Sequence, residues 1–279
     1  MDVDGLKRIA SQVRRDIIRQ TNRCASGHPG GSLGCADFLT ALYFKFLRKE
    51  LPFKMEGHGE DLFFLSNGHI SPVFYSVLSR SNYFPIDELN TFRQINSRLQ
   101  GHPTTHEGLP GVRVASGSLG QGLSVALGAA LAKKINGDPH LVYVLTGDGE
   151  LQEGQVWEAA MAAAHYKTDN IIVTVDWNGQ QIDGPTRKVM DLGDLEAKWR
   201  SFGWDLLHMN GNDMTEVVAG IEKAISKANQ QKPIVILMNT IMGFGVDFMM
   251  GTHKWHGVAP NDEQTKVALA QLEETLGDF

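Results

Sequence analysis

The chain has 279 residues, enough for one large α/β domain or two small ones. Its net charge of −6, with both signs spread along the chain, argues against a polycationic nucleic-acid surface, and no apolar run approaches the length needed to span a bilayer. The only cysteines, Cys24 and Cys35, offer neither a disulfide framework nor a CxxC metal site, so a reduced, cytoplasmic setting fits.

Leu6, Ile9, Val13, Ile17 and Ile18 recur at helical spacing. Residues 4 to 22 therefore read as an amphipathic helix with its charges on one face, not as a signal peptide. "SGHPGGSLG" reads as a glycine-rich loop, followed by an apolar helix from about Ala36 to Leu47 and a polar loop over residues 49 to 60. "DLFFLS" reads as a strand ending in the loop "NGHIS", with a helix beginning at Pro72. Residues 82 to 113 are irregular and too long for a simple connection, which marks a functional loop. "GSLGQGLSVALGAALAKKI" begins with glycines and becomes a helix. A strand at 141 to 146, a helix at 154 to 166 and the strand "NIIVTVD" follow. A helix near 191 to 201 leads to "WDLLHM", a helix at 214 to 229, the strand "PIVILMNT" and a final helix at about 261 to 276. Apolar strands alternating with helices predict an α/β fold, one domain over residues 1–279, with a parallel sheet covered by helices on both faces.

The segment "LTGDGELQEG" sets a carboxylate between two glycines directly after a buried strand. If the strands 141 to 146 and 170 to 176 are neighbours in one βαβ unit, their equivalent ends lie about 5 Å apart. Asp148 and Asn178 then project together from the carboxyl edge of the sheet, where open α/β folds bind ligands. A carboxylate and an amide carbonyl are hard oxygen donors that suit Mg²⁺ or Ca²⁺ better than zinc. Gly147 and Gly149 let backbone approach a phosphate, and the following helix adds its N-terminal dipole. A plain Gly-Asp-Gly turn is the competing reading, and the placement at two strand ends weighs against it. No GxGxxG follows a strand, so a dinucleotide fingerprint is missing.

The stretch "GDGELQEGQVWEAAMAAAHYKTDNIIVTVDWNGQQIDG" resembles the thiamine-diphosphate motif of transketolases. "SGHPGGSLG", "LSNGH", "GHP", "GSLGQG" and "THKWHG" occur in transketolase order, and the resemblance runs from about Gly5 to Ala259. It implies the thiamine-diphosphate-binding fold. It also implies that Asp148, Asn178 and the Gln180 carbonyl hold Mg²⁺, with Ca²⁺ or Mn²⁺ as substitutes. By the same resemblance Gly147, Gly149 and His69 lie at the diphosphate, Ser118 and Leu119 lie at the cofactor rings, and His28, His102 and His256 bind the sugar and move protons. Glu153 and Glu158 match acids of an interface helix that the family links to a proton path between paired sites. Trp177 stands where the family has a second acid before the metal asparagine.

Ten histidines invite a zinc reading, but no cysteine and no helix aligns them as ligands. Imidazole suits the removal and return of hydroxyl protons near neutral pH. His58, His140, His165 and His208 read as surface or packing residues. Glu150 and Glu153 read as complements of a helix dipole, and Glu158 fits either a contact between chains or a solvated face. The resemblance covers only the diphosphate-binding part of a transketolase. It therefore implies a partner chain that carries the pyrimidine-binding and C-terminal domains, in an α2β2 assembly (subunit notation). The activity implied is transfer of a two-carbon ketol unit from a ketose (phosphate) to an aldose (phosphate). The alternatives are a thiamine-dependent carboligase acting on a modified sugar and a non-catalytic, cofactor-holding subunit.

Overall fold

The computed structural model describes residues 1–279. The helices are α1 (Val3–Arg23), α2 (Pro29–Gly34), α3 (Ala36–Ala41), α4 (Ser71–Arg80), α5 (Gln121–Ile135), α6 (Gly154–His165), α7 (Thr186–Val189), α8 (Leu195–Ser201), α9 (Met214–Lys227) and α10 (Asp262–Gln271). The strands are β1 (Leu62–Leu65), β2 (Val142–Gly147), β3 (Ile171–Trp177), β4 (Gln180–Gln181), β5 (Gly184–Pro185), β6 (Asp205–Asn210) and β7 (Ile234–Asn239). Five strands form one parallel sheet in the order β1-β2-β3-β7-β6, and β4 and β5 form a separate two-residue hairpin.

Side chains alternate across a strand, so each apolar run feeds two cores. Phe63, Tyr143, Ile172 and Ile236 join the core that packs against residues of α1, α3, α4 and α9. Phe64, Val144, Val173 and Val235 join the opposite core, built on α5, α6 and α8. This explains why the inner strands β2 and β3 are apolar throughout, whereas the edge strand β6 exposes His208 and Asn210. No helix is long and apolar enough to cross a membrane.

Three expectations change in detail. Residues of "SGHPGGSLG" are not all loop: Pro29 starts the one-and-a-half-turn helix α2, all of it buried. Proline is tolerated there because the first helical N–H needs no partner within the helix. The charges of α1 do not all face solvent either. Arg14, Arg15 and Asp16 are buried, and they pair with Asp37, Asp278 and Arg80. The last helix ends at Gln271, and the following residues run back over α1, where Thr275 N–H donates to Gln12 and the Arg15 guanidinium binds Asp278.

Candidate active site

All five strands point the same way, so the loops after β1, β2, β3 and β7 emerge at one edge. A cavity of about 230 Å³ opens there. Its walls include Asn67 after β1, Gly147 to Glu150 after β2, Asn178 to Ile182 after β3, and Met242 and His256 after β7. His28 and Gly31 enter from the start of α2.

β2 and β3 are neighbours in register, with Gly147 opposite Asp176, and the Asp148 N–H continues the ladder by donating to the Asp176 carbonyl at 3.1 Å. The Asp148 carboxylate then reaches across to the β3 loop, where its Oδ2 accepts from the backbone N–H of Gly179 at 2.6 Å. Its Oδ1 accepts from the Gly149 N–H at 2.7 Å, and the Thr186 hydroxyl donates to Oδ2 at 3.4 Å. Asn178 is fixed by a carboxylate behind it: its Nδ2 donates to Asp176 Oδ2 at 2.8 Å, while its Oδ1 accepts from the Gln180 N–H at 2.8 Å. Gly179 turns the chain between them at φ +71°. Asp148 and Asn178 thus line the same cavity from adjacent strand ends, as the βαβ spacing predicts.

Asp148, Asp176 and Glu150 are each 2 % exposed, and none takes part in an ion pair. Burial, then the neighbouring Asp176 carboxylate, pushes Asp148 up to about 7. Burial also raises Asp176 and Glu150. Two acids this close in a low dielectric ask for a cation.

Opposite them, four imidazoles cluster. Ring centroids lie 5.2 Å apart for His28 and His69, 5.5 Å for His28 and His256, 6.1 Å for His28 and His102, and 5.1 Å for the stacked pair His69 and His256. Burial first, then the neighbouring His256, Arg93 and His102, pushes His28 down to about 3. Burial likewise depresses His69, His102 and His256, so the cluster is neutral at pH 7. Each ring is set by its loop. His28 directly precedes α2, and His69 lies in the 3-10 turn that leads into α4. Gly117, at φ +117°, lies so close to His102 that a Cβ there would sit 2.8 Å from two ring carbons. The Nδ1 atoms of His28 and His256 are buried without a partner, as is Oδ1 of Asn67.

The cavity gathers His28, His69, His102, Leu119, Gly147, Asp148, Gly149, Asn178, Gln180 and His256 from the sequence reading. Ser118, Glu153 and Glu158 do not line it; all three are exposed, and Glu158 lies on α6 beside the exposed Met161. Asn67, Glu150, Asp176, Gln181, Ile182 and Met242 line it without having been singled out as site residues. Glu150 is buried and accepts hydrogen bonds from Ser66, Gly120 and Gly147, which replaces the helix-dipole reading. Its place directly after Gly-Asp-Gly was the available signal. Outside the cavity, His58, His165 and His208 are exposed, and the His140 ring meets Asp138 at 2.6 Å. No group of three or more His, Cys, Asp or Glu side chains stands in metal-holding geometry.

The family model described as "Transketolase, thiamine diphosphate binding domain" matches residues 6–277. The chain is similar to one subunit of the apulose-4-phosphate transketolase from Actinobacillus succinogenes, at 38% identity over 275 residues, covering 98% of each chain. It is similar to a 6-deoxy-6-sulfo-D-fructose transketolase subunit of Clostridium sp., at 38% identity over 269 residues and 96% of each chain. Among solved structures, transketolase from Campylobacter jejuni superposes with a TM-score of 0.90 at 32% identity, over 98% of this chain. The match spans 43% of that larger chain.

Proposed function

This chain belongs to the transketolase family, with a thiamine-diphosphate-binding domain, and from that premise we propose that it is the cofactor-holding subunit of a two-chain ketol transferase. The observation that carries this reading is the meeting of the Asp148 turn and the Asn178 loop in a cavity walled by four imidazoles.

The residues present fit the cofactor and its metal. Two buried carboxylates, Asp148 and Asp176, have no cationic side chain, and the donors that the β2 and β3 loops bring to the cavity are hard oxygens. Asp148, Asn178 and the Gln180 carbonyl would hold Mg²⁺, with Ca²⁺ or Mn²⁺ as substitutes. Two side-chain oxygens and a carbonyl do not complete an octahedron, so diphosphate oxygens and water would fill the rest. Gly147, Gly149 and His69 would meet the diphosphate, and Ser118 and Leu119 the rings. Bound there, thiamine diphosphate supplies the carbon nucleophile and the electron sink for C–C cleavage.

His28, His102 and His256 do the proton work. Neutral at pH 7, they can accept a proton from a sugar hydroxyl and return it. His28 and His256, both half-buried, also screen the reacting end of the sugar from water, while the exposed His102 stands at the cavity mouth. Glu153 and Glu158, exposed on this chain, would belong to a contact between subunits.

A second chain supplies the pyrimidine-binding and C-terminal domains, in a cytoplasmic assembly of two copies of each chain. Support comes from relatives named as subunits, whose own lengths this chain matches at 96 to 98%. The transfer moves a two-carbon ketol unit from a ketose, or ketose phosphate, to an aldose or aldose phosphate. A modified sugar is the second reading of the substrate, favoured by the relatives' names, which specify apulose-4-phosphate and 6-deoxy-6-sulfo-D-fructose. A non-catalytic, cofactor-holding subunit would have no use for three unpaired imidazoles around one cavity.

Purified alone, this chain is expected to transfer no ketol unit, and coexpression with the partner should restore transfer. Replacing His28 by Ala should abolish turnover with cofactor still bound. Full turnover by the single chain would overturn the two-chain reading, and full turnover by the His28 variant would favour the idle subunit.

A further inference from the structure

Glu150 has no role in the scheme above, yet it lines the cavity and is 2 % exposed. Its Oε1 accepts from the Ser66 hydroxyl and from the Gly120 backbone N–H at 2.8 Å, and its Oε2 accepts from the Gly147 backbone N–H at 3.1 Å. These donors come from three separate segments: Ser66 follows β1, Gly120 precedes α5 and Gly147 ends β2. The first turn of α5 rests directly on the end of β1, since a Cβ on Gly122 would lie 2.7 Å from the Ser66 Cα. Gly120 itself sits at φ +85°, so the chain turns sharply where its N–H meets the carboxylate.

We propose that Glu150 is a positioning residue for the cofactor pocket, which ties the Gly117–Gly120 segment and the end of β1 to the Gly147–Gly149 turn. The segment 117–120 brings Leu119 to one side of the cavity, and the turn brings Asp148 to the other. The tether fixes their spacing before any cofactor arrives. Donors meet both oxygens, so position 150 must accept at both ends. A glutamine accepts at one end only and sets its amide hydrogens against a donor at the other. An aspartate is one methylene short. In its bearing on the cofactor this inference rests on the functional reading above.

Amide hydrogen exchange on the free chain tests it. In Glu150→Gln, the Gly120 amide should exchange at least about ten-fold faster, while Val142 to Leu145 in β2 keep their protection. Ser66→Ala removes one donor and should accelerate the same amide by roughly two- to five-fold. Titration with Mg²⁺ and thiamine diphosphate should protect Gly120 further in the wild type, with the half-maximum moved about ten-fold higher in Glu150→Gln. In the two-chain enzyme, half-saturation by cofactor should rise while kcat at saturating cofactor is kept. Unchanged exchange at Gly120 would overturn the tether. So would equal acceleration in β2, which would mark a general loss of stability, or a kcat that saturating cofactor does not restore. If the wild type gains no protection from cofactor, the cofactor assignment fails, and the free-chain comparison still decides the tether.

Discussion

Buried carboxylates occur in two regions of this molecule, and they are treated in opposite ways. Away from the cavity each has an arginine or, at Asp169, the lysine Lys134. Asp16 meets Arg80 at 2.8 Å, Asp61 meets Arg48 at 2.8 Å, Glu60 meets Arg113 at 2.5 Å, and Asp37 pairs with Arg14. At the carboxyl edge of the sheet, Asp148, Asp176 and Glu150 are as deeply buried and have only hydrogen-bond donors around them. A buried charge without a counter-charge is unfavourable. The first set closes its electrostatics within the fold, whereas the second leaves them open to a ligand.

Three measurements would break or sharpen that contrast. The largest effect should come from the closed set: Arg80→Ala strands Asp16 and should lower unfolding free energy by about 3–5 kcal/mol, read from urea midpoints at constant slope. A loss under about 0.5 kcal/mol, the size of an ordinary surface change, would mean that the pair is not structural.

Next, Asp148→Asn should weaken Mg²⁺–thiamine diphosphate binding by at least about 100-fold, or roughly 2.7 kcal/mol by calorimetry. Binding within about three-fold of wild type would take Asp148 out of the cofactor site.

The smallest net effect is that of two opposed pH slopes in the free chain, which largely cancel in the wild type. Asp148 is raised from 3.8 to about 7, so the folded state binds the extra proton and stability falls as pH rises through that window. His28 is lowered from 6.5 to about 3, so the unfolded state binds the extra proton and stability rises with pH over that range. Asp148→Asn should flatten the first slope and His28→Gln the second, in urea titrations from pH 4 to 7, with Asp176, Glu150 and the other three imidazoles supplying the remainder. Identical slopes in both variants would remove the electrostatic account.

The sheet was legible because its strands carry apolar residues on both faces, and the βαβ spacing placed Asp148 beside Asn178 without reference to any relative. The helix α2 was not, because glycines at positions 30, 31 and 34 resemble a loop until burial on every side is known. The paired charges of α1 were hidden for a similar reason: Arg80 and Asp37 are distant in sequence or belong to other elements, and nothing local announces them. At the site, histidines and acids in glycine-rich motifs stood out. Asn67, Gln181 and Met242 did not, since their residue types suit many places and only the sheet edge brings them together.

Gly117 has one more consequence. Even a methyl group there would strike the His102 ring, and the backbone sits where branched residues are strained. Selection for a new sugar preference therefore has little freedom along this seam. Adaptation must run through walls that can change shape, such as the flexible Met242 or the exposed Ile182, and a directed-evolution library should spend its diversity there.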